Sequence, residues 1–320
     1  MASRPQDDMP GDFGTAVLTG LAATPKTIPA RYFYDAKGSA LFEAITDLPE
    51  YYPTRTEIGL LTAHAGEIGA TVGEGRAVVE FGSGSSVKTP LLLRAVAPSA
   101  YVPIDISAAF MAESAATLGA AFPGLAVHPL AGDFTQALRL PAQVEGMPKL
   151  GFFPGSTLGN AAPAAAVDLL RAFAATLGSD AWLVIGLDLR KDRRVLEAAY
   201  DDAQGVTAAF NLNLLARINR ELGGTIDVSA FRHRARWNGD AGRIEMHLEA
   251  VRDVAFDVLG QRFTLVAGET IHTENSHKWT LDEARLLARA GGWTPVTVWI
   301  DAGAKFGLHL WRVASGSAEP

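Results

Sequence analysis

The stretch Val78-Val79-Glu80-Phe81-Gly82-Ser83-Gly84-Ser85-Ser86-Val87-Lys88-Thr89 carries residue types that let a backbone close on a small ligand. An apolar run ends at an acid, passes into a turn of glycine and serine, and leads into helix-forming residues. Glycine has no Cβ, so a ligand can approach its backbone and a positive φ costs little. Several ligand-binding patterns compete for such a turn. A phosphate-binding loop needs glycine directly before Lys-Thr, and Val87 stands there. A dinucleotide fingerprint needs its third glycine at the same position, which is again Val87. What remains is an acid followed by Gly-x-Gly-x-small, supplied by Glu80, Gly82, Gly84 and Ser86.

That last pattern is the loop with which methyltransferases cradle S-adenosylmethionine, and two more acids fall at fitting distances. Asp105 closes the next strand-like run, roughly 20 residues on, where a carboxylate can accept both ribose hydroxyls. Gly132-Asp133-Phe134 follows the third run, offering a carboxylate to the adenine amino group and a ring to stack on the base. Either aspartate alone fits a helix N-cap equally well. Three matches, each just after a successive strand, make that reading a poor account of the set. The candidate cofactor-binding residues are Gly82, Ser83, Gly84, Lys88, Asp105, Asp133 and Phe134.

The elements that must hold these residues follow from hydrophobic patterning. Short apolar runs at 77–81, 101–105, 125–127, 150–153 and 182–187 alternate with helix-compatible stretches at 87–97, 107–122 and 163–177. Strands alternating with helices predict βαβ units and a parallel sheet. Residues 293–300 and 306–313 are strand-like and separated by five residues only, which suits an antiparallel hairpin and not a crossover. The expected fold is therefore α/β: a Rossmann-like class I methyltransferase sheet ending in that hairpin. Two regions interrupt the plan. Residues 13–56 show helix signals but no sheet strand. Residues 191–279 are helical through Tyr200 and on to Leu222, then alternate, most clearly in Arg243-Ile244-Glu245-Met246-His247-Leu248-Glu249. We expect a cofactor-binding domain from 57–190 and 280–320. An inserted α+β substrate domain from 1–56 and 191–279 would lie over the sheet's carboxyl edge.

Composition narrows the substrate. Among 320 residues there is no cysteine, which removes disulfides, a thiolate nucleophile and sulfur-ligated zinc. A formal charge of −7 without a basic run speaks against a nucleic-acid partner, whose phosphates need Lys and Arg. No uncharged apolar run reaches the ~18 residues of a membrane span, and Met1 to Asp12 lacks the apolar core of a signal peptide. The seven histidines do not form a closely spaced metal pattern with carboxylates. These features speak against nucleic-acid, membrane and metal partners and fit a cytoplasmic protein; we expect a monomer acting on a small molecule.

A further set of segments is more distinctive: Arg31-Tyr32-Phe33-Tyr34-Asp35, Leu48-Pro49-Glu50-Tyr51-Tyr52-Pro53-Thr54-Arg55, Gly155-Ser156-Thr157-Leu158-Gly159-Asn160 and Ala199-Tyr200-Asp201-Asp202. Ala208-Ala209-Phe210-Asn211, Ile244-Glu245-Met246 and Glu274-Asn275-Ser276-His277-Lys278 continue the series. In their order and spacing, from about Tyr32 to Leu310, the chain resembles the histidine Nα-methyltransferases of ergothioneine biosynthesis. That family passes methyl groups stepwise from S-adenosylmethionine to the histidine α-amine, giving trimethylhistidine (hercynine). The resemblance implies that Tyr51 and Tyr200 donate hydroxyls to the substrate carboxylate and that Asn160 orients the α-amine. It implies Tyr34 beside the amine and the transferring methyl, Glu274 and Ser276 gripping the imidazole, and Met246 on the pocket wall. Tyr34 and Asn160 are thus the catalytic candidates. An Nα-methyltransferase for another aromatic or histidine-derived amino acid is the alternative. A non-catalytic cofactor-binding regulatory module is the alternative of a different class.

Overall fold

Five of the apolar runs become neighbouring parallel strands of one sheet in the computed structural model, which describes residues 10–83, 87–105 and 118–314. They lie in the unit formed by Pro53–Arg190 with Lys278–Pro320. Its strands are β2 (Ala77–Phe81), β3 (Ala100–Asp105), β4 (Ala126–Val127), β5 (Leu130–Ala131), β6 (Lys149–Phe153), β7 (Trp182–Asp188), β13 (Trp293–Ile300) and β14 (Phe306–Val313). Their order is β13-β14-β7-β6-β2-β3-β4, with β5 also beside β3. β2, β3, β4, β6 and β7 run parallel, whereas β14 is antiparallel to both β7 and β13. This is the class I methyltransferase sheet with its C-terminal hairpin, and the hairpin's bounds are those the sequence indicated.

Burial on both faces explains why these strands read as unbroken apolar runs. Ala77, Val79 and Phe81 of β2 enter a core shared with α5 (Pro163–Leu177) and α8 (Leu281–Ala290). Val78 enters a second core with α3 (Tyr52–Val72) and α4 (Thr89–Val96). The chain leaves β2 for β3 on one side and later returns to β6 on the other. The turns after β2 and β6 therefore flank a topological switch point, where open α/β sheets bind ligands. The run at 125–127 is reduced to the two residues of β4, and most of the helix expected over 107–122 lies outside the described residues.

The second unit, Met1–Tyr52 with Lys191–His277, is built differently. It contains α1 (Pro10–Ala22), α2 (Ala36–Thr46), α6 (Arg193–Tyr200) and α7 (Val206–Leu222). Its strands are β1 (Lys26–Thr27), β8 (Phe231–Asn238), β9 (Arg243–Ala250), β10 (Val254–Val258), β11 (Gln261–Leu265) and β12 (Thr270–His277). A four-stranded sheet runs β1-β12-β9-β8, and β10 pairs with β11 apart from it. The β10–β11 turn is Leu259-Gly260, both at positive φ, the geometry that matches the twist of paired strands. β1 corrects the expectation that residues 13–56 hold no strand: it pairs parallel to β12 through Lys26 and Thr27. Two residues are too short to show any period, so nothing in the sequence marked them.

His309 of β14 is an unusual occupant of the first unit's interior. It is 3% exposed, and its Nε2 has no hydrogen-bond partner. Burial, and then the positive charge of Arg285, holds its imidazole down to about 3. The folded chain thus resists a proton that the unfolded chain accepts near pH 6.5, so stability is complete above that pH and drains away as pH falls toward 3. Chemical denaturation at pH 7 and pH 4 should show His309→Leu losing less on acidification than the parent. The difference should be on the order of 2–4 kcal/mol. Equal losses would mean the imidazole charges without penalty.

Candidate functional site

Tyr34 owes its place to the helix α7. The preceding chain is held by Arg217, whose Nη1 donates to the Tyr32 carbonyl oxygen at 3.0 Å. The following residue, Asp35, caps α2 by accepting the Gly38 N–H at 2.6 Å. Asp35 also accepts from Asn213 Nδ2 at 2.9 Å and from Arg220 Nη2 at 2.5 Å. Burial alone would raise the Asp35 carboxyl. The Gly38 N–H, Arg220 and Asn213 outweigh it and hold the group below the usual carboxylate range. Gly38 is required here, because a Cβ would stand 1.8 Å from the Phe33 carbonyl oxygen.

Around Tyr34 the same unit gathers aromatic rings and hydroxyls. Tyr34 meets Phe42 and Phe210 edge-on, with centroids 5.7 and 5.8 Å away. Tyr51 meets Phe42 at 6.4 Å and Tyr200 at 6.1 Å, both edge-on. The Tyr200 hydroxyl lies 2.7 Å from Ser276 Oγ. Glu274 and Ser276 of β12 stand opposite Met246 and Ile244 of β9, so the four share a face. Tyr34 keeps 45% of its surface open. The protein mass crowded round its hydroxyl, then the charge of Glu274, then Tyr51 and Tyr200, push the phenol well above its ordinary value. Such a wall offers ring faces to a cation, hydroxyls to a carboxylate, and one carboxylate to an N–H donor. Tyr34, Tyr51, Tyr200, Met246, Glu274 and Ser276 are thus brought together within one unit.

The candidate cofactor residues, with Asn160, lie in the other unit. Gly82 has φ of 74°, and a Cβ on it would touch the Phe134 ring at 3.5 Å. The N–H groups of Gly82 and Ser83 donate to the Ile104 carbonyl oxygen at 2.8 and 3.2 Å, fixing the turn against the end of β3. Ser83 is buried and its hydroxyl has no partner. Gly84 lies outside the described residues. Asp105 ends β3 beside Ala131 of β5. Asp133 is exposed and accepts the Thr135 N–H and hydroxyl at 2.9 and 2.7 Å, so it closes its own turn. Asn160 is exposed at the end of a short turn, Thr157–Asn160, after β6.

Lys88 is engaged by a residue the sequence did not single out. Its Nζ lies 2.6 Å from Oε2 of Glu57, which is fully buried and also accepts the Gly155 N–H at 2.9 Å. Glu57 fits only because residue 186 is glycine, where a Cβ would stand 1.9 Å from Oε1. Glu80, the acid of the motif, turns inward and accepts from Thr89 and Tyr101 hydroxyls at 2.7 and 2.6 Å. It braces the strand end. Among the described residues no group of three or more His, Asp or Glu is placed to hold a metal ion.

Comparison with known proteins adds a family. Residues 13–313 match the family model described as histidine-specific methyltransferase, SAM-dependent. The chain is 42% identical over 300 residues to the histidine N-alpha-methyltransferase of Mycolicibacterium smegmatis, covering 92% of both chains. It is 40% identical over 301 residues to that of Mycobacterium tuberculosis, again covering 92% of both. Over 299 residues it is 30% identical to ergothioneine biosynthesis protein 1 of Neurospora crassa, covering 89% of this chain and 33% of that protein.

Phe42, Phe210, Asp35 and Glu57 are the site-building residues that sequence reasoning left without a role. Phe210 and Asp35 stood inside quoted segments, but Phe42 and Glu57 carried no local signal. The Tyr34 environment yields a spectroscopic expectation. A phenol held well above its ordinary value stays protonated at the pH near 10 where an ordinary one ionises. Ultraviolet titration of Tyr34→Phe should therefore give the same tyrosinate absorbance as the parent through the ordinary tyrosine step near pH 10. A variant that lacked one phenolate step near pH 10 would show that the Tyr34 hydroxyl is solvated.

Proposed function

The chain belongs to the histidine-specific, S-adenosylmethionine-dependent methyltransferases, and from that premise we propose that it methylates the α-amine of L-histidine stepwise to trimethylhistidine. The product is hercynine, and the reaction is the first step of ergothioneine biosynthesis. The observation that carries this reading is the gathering of Tyr34, Tyr51 and Tyr200 with Glu274 and Ser276 on one aromatic wall. Tyr51 and Tyr200 donate to the substrate carboxylate. Glu274 accepts an imidazole N–H, Ser276 serves the other ring nitrogen, and Met246 lines the pocket. The Tyr200–Ser276 hydrogen bond then ties recognition of the carboxylate to recognition of the ring. Asn160 orients the amine. Tyr34, as a neutral hydroxyl, stands beside that amine and cannot act as a phenolate base at neutral pH.

S-adenosylmethionine, when bound, supplies a methyl group on a sulfonium. The chain's residues suit it: the Cβ-free face of Gly82 beside the Phe134 ring, and the unpartnered Ser83 hydroxyl. Asp105 would accept the ribose hydroxyls, Asp133 and Phe134 would take the adenine, and Gly84 and Lys88 complete the cradle. Displacement at a methyl needs no oxyanion hole and no metal, so positioning of a neutral amine supplies most of the catalysis. A cytoplasmic monomer is part of this reading.

Glu274→Ala should lower kcat/KM for histidine by about one to two powers of ten, the loss of a charged hydrogen bond worth ~1.5–3 kcal/mol. It also enlarges the pocket and removes a charge, so rejection of tryptophan should relax. Paired kinetics on the two amino acids decide the matter, and an equal loss on both would remove the imidazole role. Mass spectrometry should find trimethylated histidine with little intermediate; arrest at the monomethyl stage would overturn hercynine as the product. For the cofactor, calorimetry should show Asp105→Ala weakening S-adenosylmethionine binding by ~1.5–3 kcal/mol. Unchanged affinity would make Asp105 a cap of the strand end.

A further inference from the structure

β12 contains one residue too many. His272 stands opposite His247, and Glu274 stands opposite Met246, which leaves Thr273 with no residue opposite it in the register of β9. Side chains alternate strictly along a strand, so an unbroken β12 would carry Glu274 and Ser276 to the face of His272. There the His247 and His272 rings stack at 4.7 Å. The extra residue reverses the alternation and turns Glu274 and Ser276 to the face of Met246 and Ile244.

A buried polar chain fastens this bulge. The Thr273 hydroxyl lies 2.9 Å from Asn211 Oδ1 and 3.1 Å from the Met246 carbonyl oxygen. Asn211 Nδ2 donates to the His247 carbonyl oxygen at 3.1 Å and lies 2.8 Å from His233 Nδ1. His233 Nε2 lies 2.7 Å from the Tyr200 carbonyl oxygen, at the last residue of α6. Thr273 is 2% exposed, Asn211 0% and His233 8%.

The proton arrangement is determined by its ends. A carbonyl oxygen only accepts, so the His247 carbonyl fixes which end of the Asn211 amide is nitrogen. The Tyr200 carbonyl likewise requires the His233 proton on Nε2. Nδ1 is then a lone pair facing the Asn211 amide hydrogens, and the Asn211 oxygen is left to accept from Thr273. Burial holds the His233 imidazole below its ordinary value, against the pull of the Tyr200 carbonyl, Asp201 and Asp202. The neutral ring that the chain needs is the one favoured.

We infer that Thr273, Asn211 and His233 are positioning residues for substrate recognition. Through one hydrogen-bonded chain they set the β12 bulge that aims Glu274 and Ser276, and the end of α6 that presents Tyr200. The inference rests on the proposed imidazole-gripping role of Glu274 and Ser276. None of the three is among the residues assigned to the substrate. Asn211 is also the residue of the Ala208-Ala209-Phe210-Asn211 segment for which the reaction itself has no use.

The test is Thr273→Val, which keeps shape and removes the hydroxyl, beside Thr273→Ser, which keeps the hydroxyl. Calorimetry with S-adenosylhomocysteine present should show histidine binding weakened about tenfold or more in Thr273→Val. Thr273→Ser should stay within about threefold of the parent. KM for histidine should rise in step, kcat should change less, and S-adenosylhomocysteine affinity should not move. A folded Thr273→Val with parental histidine affinity overturns the inference, and so does a Thr273→Ser as weak as Thr273→Val. Should Thr273→Val not fold, Thr273→Ala removes the same hydroxyl and carries the same expectation. Failure of both to fold overturns the inference by making the hydroxyl a requirement of folding. Glu274→Ala in parallel separates the two readings. If it leaves histidine affinity intact, the imidazole role fails; if it loses histidine where Thr273→Val does not, only the positioning role fails.

Discussion

A polar side chain turned into the core from a helix must find a partner, because an unpaired one costs about 1–3 kcal/mol. Helix α7 carries four buried polar side chains, Thr207, Asn211, Asn213 and Arg217. The last three each donate to a segment that bears site residues, while Asn213 Oδ1 is left without a partner. Arg217 takes the Tyr32 carbonyl, Asn213 takes Asp35, and Asn211 takes the backbone of β9 and the Thr273 hydroxyl. Apolar residues at those positions would pack the helix equally well but would leave 32–35 and the bulge of β12 free to choose other arrangements. The polar face of α7 therefore trades some hydrophobic burial for a defined placement of Tyr34 and Glu274.

The sheet-bearing unit solves the same problem with a charge. Glu57 is fully buried on α3, and its carboxylate collects the Lys88 ammonium and the Gly155 N–H. Removing either partner of such a pair leaves an uncompensated charge, at a cost of ~3–5 kcal/mol. The start of α4 and the turn after β6 are thereby referred to one atom, Glu57 Oε2. Those are the two turns that flank the switch point of the sheet. Glu80 does the equivalent for the end of β2, by way of Thr89 and Tyr101.

Which of this could be read from the sequence follows from the range of each interaction. The sheet was legible because alternation and apolar runs are local, and the hairpin 293–300/306–313 was legible because its link is too short for a crossover. The Gly82 turn was legible because glycine at positive φ beside an aromatic ring leaves a composition signature. Glu57 was not, because its partners are 31 and 98 residues away and it is one acid among 35 Asp and Glu. Thr273 was not, because a bulge is a relation between two strands and leaves no mark on one. The reading that Glu274 and Ser276 share a face holds, but alternation alone would have chosen the wrong face. The resemblance to a family supplied the roles of residues whose positions no local pattern could fix.

The aromatic wall bears on why the proposed reaction could run through three rounds. A primary amine offers hydrogens to oxygen acceptors, and a quaternary ammonium offers none. A site that held the amine by hydrogen bonds alone would lose its grip as methyls accumulate. Ring faces behave differently, since attraction between a cation and a π face does not depend on N–H groups and amounts to about 0.5–2 kcal/mol. Tyr34, Phe42, Tyr51, Tyr200 and Phe210 hold such rings together, and in the proposed reaction the carboxylate and the imidazole of the substrate would keep their own partners through every round. Recognition would thus be anchored at the two ends that do not change. The reacting end would be left to surfaces that tolerate its change, and a neutral Tyr34 hydroxyl would fit that arrangement better than a fixed negative charge beside the amine. A phenolate there would bind the cationic product most tightly, at the one stage where release is needed.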